Sequence, residues 1–124
     1  MSGILILICM KREMRELHAV HQSCIDACLK CAVECHHCAT ACVGEPDAQN
    51  RQKCIQICFD CSQLCLLSIQ FMARGSSYAK ALCELCAQVC EACAAECESF
   101  NDEHCKRCAE ACRKCAEECR KMAA

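Results

Sequence analysis

The chain has 124 residues, a formal net charge of −2 and only 3% aromatic residues, with no Trp. That length suits one domain, and the charge balance makes no case for nucleic acid or an anionic membrane as a partner. Cysteine accounts for 21 residues against three Gly and one Pro, so the turn-rich disulfide scaffold of small secreted proteins fits poorly, and the cysteine number is odd.

The chain opens on GILILICM, an apolar run from Gly3 to Met10. The run is too short to span a bilayer. No positive charge precedes it, no small-residue cleavage site follows it, and no twin arginine is present. It does not read as an export signal. The expectation is a cytosolic protein whose residues 1–10 form a segment docked on the domain surface or against another subunit.

The first helix is predicted at about 11–43. Within it Cys24, Cys28, Cys31, Cys35, Cys38 and Cys42 alternate steps of four and three. That is a 3.5-residue period, one stripe on one helix face. GEPD at Gly44 to Asp47 ends this helix, and Asp47 is placed to cap the next. The second helix, about 48–74, repeats the step at Cys54, Cys58, Cys61 and Cys65. RGSS follows, with Gly75 in the position of a left-handed helix stop and Ser76 or Ser77 as the next cap. The third helix, about 78–99, carries Cys83, Cys86, Cys90, Cys93 and Cys97. SFND then offers Asn101 or Asp102 as a cap. The fourth helix, about 102–122, carries Cys105, Cys108, Cys112, Cys115 and Cys119. Nothing has the period of two that strands require. Short connections make sequential helices antiparallel neighbours. The expected fold is therefore all-α: an antiparallel up-down-up-down four-helix bundle with a cysteine-lined core. Charged runs such as CKRCAEACRKCAEECRK read as solvated helix surface.

Cysteine can serve as a small hydrophobe. Some twenty at consecutive core positions would make a thin, weakly specified core, so packing alone does not account for them. Disulfides within a helix fail on geometry. Residues i and i+4 have Cβ atoms about 5–6 Å apart, whereas a disulfide needs about 3.5–4.5 Å. The same pair is well placed to hold one atom between two sulfurs. The ferredoxin spacing C-x2-C-x2-C-x3-C-P does not occur. Isolated zinc sites need four cysteines each, with two negative charges left over. A soft monovalent ion bridged by thiolates approaches neutrality at one ion per thiolate, which favours Cu(I). Bridged zinc clusters also reach neutrality, so a zinc or general metallothionein-like buffer stays open. A thiol-redox or ferredoxin-like electron-transfer protein is the remaining alternative. No single CxxC stands out for a redox enzyme, because the motif recurs.

Four helices with CxxxCxxCxxxC seams resemble the bacterial cytosolic copper storage proteins, over roughly Leu17 to Met122. The resemblance implies a homotetramer of bundles, each filled with many Cu(I) ions held mainly by cysteine thiolates. The family's CxxxC pairs correspond to Cys24 with Cys28, Cys31 with Cys35, Cys38 with Cys42, Cys54 with Cys58, and Cys61 with Cys65. They continue with Cys86 and Cys90, Cys93 and Cys97, Cys108 and Cys112, and Cys115 and Cys119, leaving Cys83 and Cys105 to complete the layers. Exported relatives carry a twin-arginine signal, which this chain lacks. Cys9 falls outside the pattern.

Continued past the last cysteines, the seams land on His21, Leu17, Met14 and Met10, on Ser68 and Met72, and on Met122. Antiparallel packing puts these at one end, near Cys83. His21, Met72 and Met122 are thus candidate weak ligands at a loading mouth, although methionine also serves as a flexible core filler. The other end offers Cys42, Cys54, Cys97 and Cys105, with His104 either a ligand or a first-turn surface residue. His18, His36 and His37 read as exposed. The second helix has apolar residues beyond its seam, including Ile55, Phe59, Leu66, Leu67 and Phe71. They suggest a subunit interface or cover by the N-terminal segment. The resulting reading is cytosolic, high-capacity Cu(I) storage and detoxification, without catalysis. The copper donor and recipient are not encoded in any recognisable motif.

Overall fold

The structure, a computed structural model, describes the backbone of residues 3–124 and the side chains of residues 3–8 and 21–124. Cys9, Met10, Met14, Leu17 and His18 lie outside the described side chains. Four α-helices follow in order: α1, Gly3–Val43; α2, Gln52–Ala73; α3, Ala79–Cys97; and α4, Glu103–Ala123. A 3-10 turn at Ala48–Arg51 leads into α2. No strand occurs among the described residues.

Both α1 and α3 pack on α2 and α4, so the helices stand in a square. Pairs far apart in sequence set the directions. His21 meets Met72 and Cys31 meets Cys61, Cys24 meets Cys119 and Cys38 meets Cys105, and Cys54 meets Cys97 and Cys65 meets Cys86. On the outer surface Glu98 pairs with Arg113 and Glu91 with Arg120. Each relationship is antiparallel, giving the up-down-up-down bundle with thiols at its centre.

The cysteine stripe alone would make a narrow core. Alanines beside it let the helices approach. Ala32 and Ala39 on α1, Ala87 and Ala94 on α3, and Ala109 and Ala116 on α4 are all buried and recur at seven residues. Small side chains at heptad spacing shorten the interhelical distance and bring facing sulfurs together. On α2 the comparable position is Ser62, whose hydroxyl donates to the Ala32 carbonyl across the α1–α2 contact at 2.9 Å. α4 places Glu103 in its first turn and Arg120 and Lys121 in its last, complementing the helix dipole.

The turns differ in detail from the sequence expectation. α2 ends as expected at Gly75, with φ +64. The Gly75 N–H donates to the Met72 carbonyl and the Ser76 N–H to that of Phe71, the pair of hydrogen bonds of a Schellman stop. The expected side-chain caps do not form. Tyr78, not Ser76 or Ser77, occupies the α3 N-cap, and the Ser76 hydroxyl accepts from the Tyr78 N–H. Asp47 and Asp102 stand at the N-cap positions without capping bonds. Both carboxylates instead hold Arg51, whose charge outcompetes neutral backbone N–H groups.

The N-terminal apolar run is also different. It is the beginning of α1, not a segment laid back on the bundle, and Ile4 to Ile8 are 45–73% exposed. No Gly or Pro interrupts the sequence between Gly3 and Val43, so the helix simply continues. At about 1.5 Å per residue α1 is about 60 Å long, roughly twice α2. The run therefore does not cover the apolar face of α2, where Leu66 and Leu67 are 46% and 41% exposed. By length and composition Ala48–Ala73 would suffice to cross a bilayer; here its thiol stripe is buried inside the bundle.

Candidate metal centre

All twenty cysteines among the described residues are free thiols, and each is at most 1% exposed. The alternating step of four and three keeps every sulfur of a helix on the side facing the axis of the square. Sulfurs from adjacent helices then interleave. Cys28 touches Cys115 and Cys119, Cys65 touches Cys86, Cys90 and Cys115, and Cys31 touches Cys35, Cys61 and Cys112. Further along, Cys35 touches Cys93, Cys108 and Cys112, and Cys58 touches Cys93, Cys97 and Cys108. The result is one column of thiols.

Sulfur–sulfur contacts in the column run from 3.4 Å, at Cys35–Cys112, to 4.0 Å, at Cys35–Cys93. A disulfide needs about 2.0 Å. Two sulfurs that share one metal ion at a bond length of about 2.3 Å in tetrahedral geometry stand roughly 3.8 Å apart. The sulfurs are thus too far apart for disulfides and close enough to share a metal ion. Sets whose donor atoms lie within 4.8 Å of one another include Cys28, Cys86, Cys115 and Cys119; Cys31, Cys65, Cys90 and Cys115; and Cys31, Cys35, Cys61 and Cys112. Another is Cys35, Cys93, Cys108 and Cys112. The sets share members, so adjoining ions would share bridging thiolates.

Neighbouring S–H groups and burial shift individual thiols in opposite directions. Donation from Cys119 lowers the Cys115 thiol, and donation from Cys112 lowers that of Cys108. Burial pushes Cys42 up to about 12, against the pull of the Arg51 guanidinium.

The two ends of the column differ chemically. At one end His21, Met72, Met122 and Ala79 are buried. The His21 Nδ1–H donates to the Met72 carbonyl at 3.0 Å, and Cys83 interacts with Cys119 and Cys24 just inside. At the other end a mixed set forms from Cys38, Cys42, His104 and Cys105. His104 is turned inward. Its Nδ1 lies 3.5 Å from the Cys38 sulfur and 3.6 Å from that of Cys105. Its Nε2 lies 3.1 Å from a Glu45 carboxylate oxygen. A proton on Nε2 serves Glu45 and leaves the Nδ1 lone pair facing the sulfurs, the usual support for a ligating imidazole. His36 and His37 are exposed on the outer face, where His36 packs edge-on against Phe59.

A model of the copper storage protein family matches residues 17–124. The chain belongs to the copper storage protein family. It is similar to the apo form of copper storage protein 3 from Bacillus subtilis, at 40% identity and a TM-score of 0.78, over 84% of this chain and 99% of that one. It is also similar to a cytosolic copper storage protein from Streptomyces lividans, solved during copper loading with five coppers, at 36% identity and a TM-score of 0.82, over 86% of this chain and 94% of that one. A cysteine-rich protein of B. subtilis strain 168, YhjQ, is 42% identical over 66 residues, or 53% of this chain. The matched stretch spans 61% of that relative's length.

Within this member of the family, Arg51 is the site neighbour that sequence reading missed. Its Nη1 lies 3.8 Å from the Cys42 sulfur and 3.7 Å from that of Cys105. Asp47 and Asp102 hold the guanidinium at 2.7 and 2.6 Å, and Phe100 stacks on its face at 4.4 Å. A signal was present: one step of three upstream of Cys54 lands on Arg51.

Proposed function

We infer that the chain binds Cu(I) at high capacity in the cytosol, storing the ion and withholding it from harmful chemistry. One observation carries this reading: a continuous column of buried free thiols whose sulfurs are spaced for shared soft ions. The thiolates at Cys24, Cys28, Cys31, Cys35, Cys38, Cys42, Cys54, Cys58, Cys61 and Cys65 hold copper on α1 and α2. Those at Cys83, Cys86, Cys90, Cys93, Cys97, Cys105, Cys108, Cys112, Cys115 and Cys119 hold it on α3 and α4. His104 joins the set at the α4 N-terminus, while His21, Met72 and Met122 serve the opposite mouth as weaker ligands. The role requires no catalytic step, nucleic acid or membrane. Anaerobic titration of the reduced apoprotein with Cu(I) against a competing chelator tests it. The expected capacity is near one ion per core thiolate; saturation at one or two ions per chain would overturn it.

Zinc is the second reading, because the four-sulfur sets also suit tetrahedral coordination. Competition decides: Cu(I) added to the zinc-loaded protein should displace zinc stoichiometrically, and zinc retained under excess Cu(I) favours the buffer.

The assembly we propose is a homotetramer. Leu29 and Val33 on α1 and Leu66 and Leu67 on α2 are exposed on packed neighbours, an apolar face suited to a second copy. Light scattering of the eluting protein measures this; a monomer at micromolar concentration excludes it.

A further inference from the structure

We propose that Ser68 breaks the thiol column to create its labile site. The layer of Cys24, Cys83 and Cys119 is a three-thiol site from which Cu(I) exchanges faster than from the interior. This rests on the copper reading above.

On α2 the seam supplies a thiol to each interior layer, through Cys54, Cys58, Cys61 and Cys65. The next seam position is Ser68. Cys65 meets Cys86 and Cys115. One step further along each helix, the register sets Ser68 level with Cys83 and Cys119, and with Cys24, which lies 3.6 Å from Cys119. Beyond this layer, among the described residues, come His21, Met72, Met122 and Ala79.

Ser68 is 0% exposed, and its hydroxyl has no hydrogen-bond partner among the described residues. A serine kept for packing in a helix commonly returns its hydroxyl to the carbonyl four residues back; Ser68 does not. Ser62, the other buried serine of α2, is satisfied by the Ala32 carbonyl. An unpartnered hydroxyl in a sulfur column puts a hard oxygen where a soft ion would meet a fourth thiolate. An ion in this layer has fewer thiolates to bridge it and lies next to the Met/His end. Exchange passes Cu(I) to an outside thiolate or chelator while a proton returns to protein sulfur, and no electron moves.

The test compares wild type, Ser68→Cys and Ser68→Ala as reduced, full-length protein, titrated anaerobically with Cu(I) and then challenged with excess chelator. Ser68→Cys should gain about one ion and slow the fastest release phase at least tenfold. Ser68→Ala should keep the wild-type capacity and fast phase, because the hydroxyl is a gap and not a ligand, and its apoprotein should melt higher once the unpaired group is gone. Unchanged capacity and release in Ser68→Cys would overturn the proposal. So would the loss of an ion in Ser68→Ala. A wild type that takes up only one or two ions would instead defeat the storage reading itself, which keeps the two failures distinct.

Discussion

His21 on α1 and Met72 on α2 are joined across the end of the thiol column by a 3.0 Å hydrogen bond from the imidazole Nδ1 to a backbone carbonyl. Nδ1 must carry the proton in that bond, because the carbonyl only accepts. In the neutral ring the lone pair is then on Nε2, and the residue is 7% exposed. The Met72 backbone thus orients a histidine, while its own thioether is buried nearby.

Replacing His21, Met72 and Met122 together with Leu should leave capacity almost unchanged, since the CxxxC ladder remains. Transfer from a Cu(I) chelator should slow, measured by stopped-flow absorbance of the chelator. His104→Ala is the matched change at the opposite end and should slow loading less. If His104→Ala alone slows transfer, the loading end lies at the α4 N-terminus, where Nδ1 faces Cys38 and Cys105.

The reduced apoprotein should already be helical. Neutral thiols are small and apolar, and the heptad alanines close the bundle without metal. Loading should stabilise a formed fold and release protons as thiols become thiolates, about one per ion. Circular dichroism of the metal-free protein and pH-stat titration during loading check both parts. Little helix before metal is added would contradict the first.

Asp102→Asn should weaken the closure around Arg51. The guanidinium holds the Asp102 carboxyl below its ordinary range. A carboxylate whose pKa is depressed by folding contributes stability above its unfolded value of about 3.9 and loses it as pH falls through the folded value. The variant should therefore melt below wild type at pH 7, and the gap should close in strong acid. A gap independent of pH would argue that Asp102 acts through something other than its charge.

Ala94→Leu should destabilise the reduced apoprotein by about 1–3 kcal/mol in urea unfolding, the usual result of overpacking a close contact. Ala94 is 0% exposed on the helix-contact side of the seam. A neutral effect would mean the helices have room that the thiol spacing does not show.

Much of this protein is readable along the chain because helix periodicity is a local property. Steps of four and three determined four helices and put each helix's thiols on one face, and Gly75 marked a stop that needs positive φ. The soft-metal chemistry followed from thiol number and spacing. Local pattern could not decide events between residues distant in sequence. Only the packed bundle shows that Glu45, from the loop after α1, turns His104 at the start of α4 inward. Only packing shows that Asp47 and Asp102 abandon their caps for Arg51, because a buried guanidinium in that corner offers each carboxylate a charged donor. The same holds for Ser68, whose missing hydrogen bond is a property of its surroundings and not of its position in a heptad.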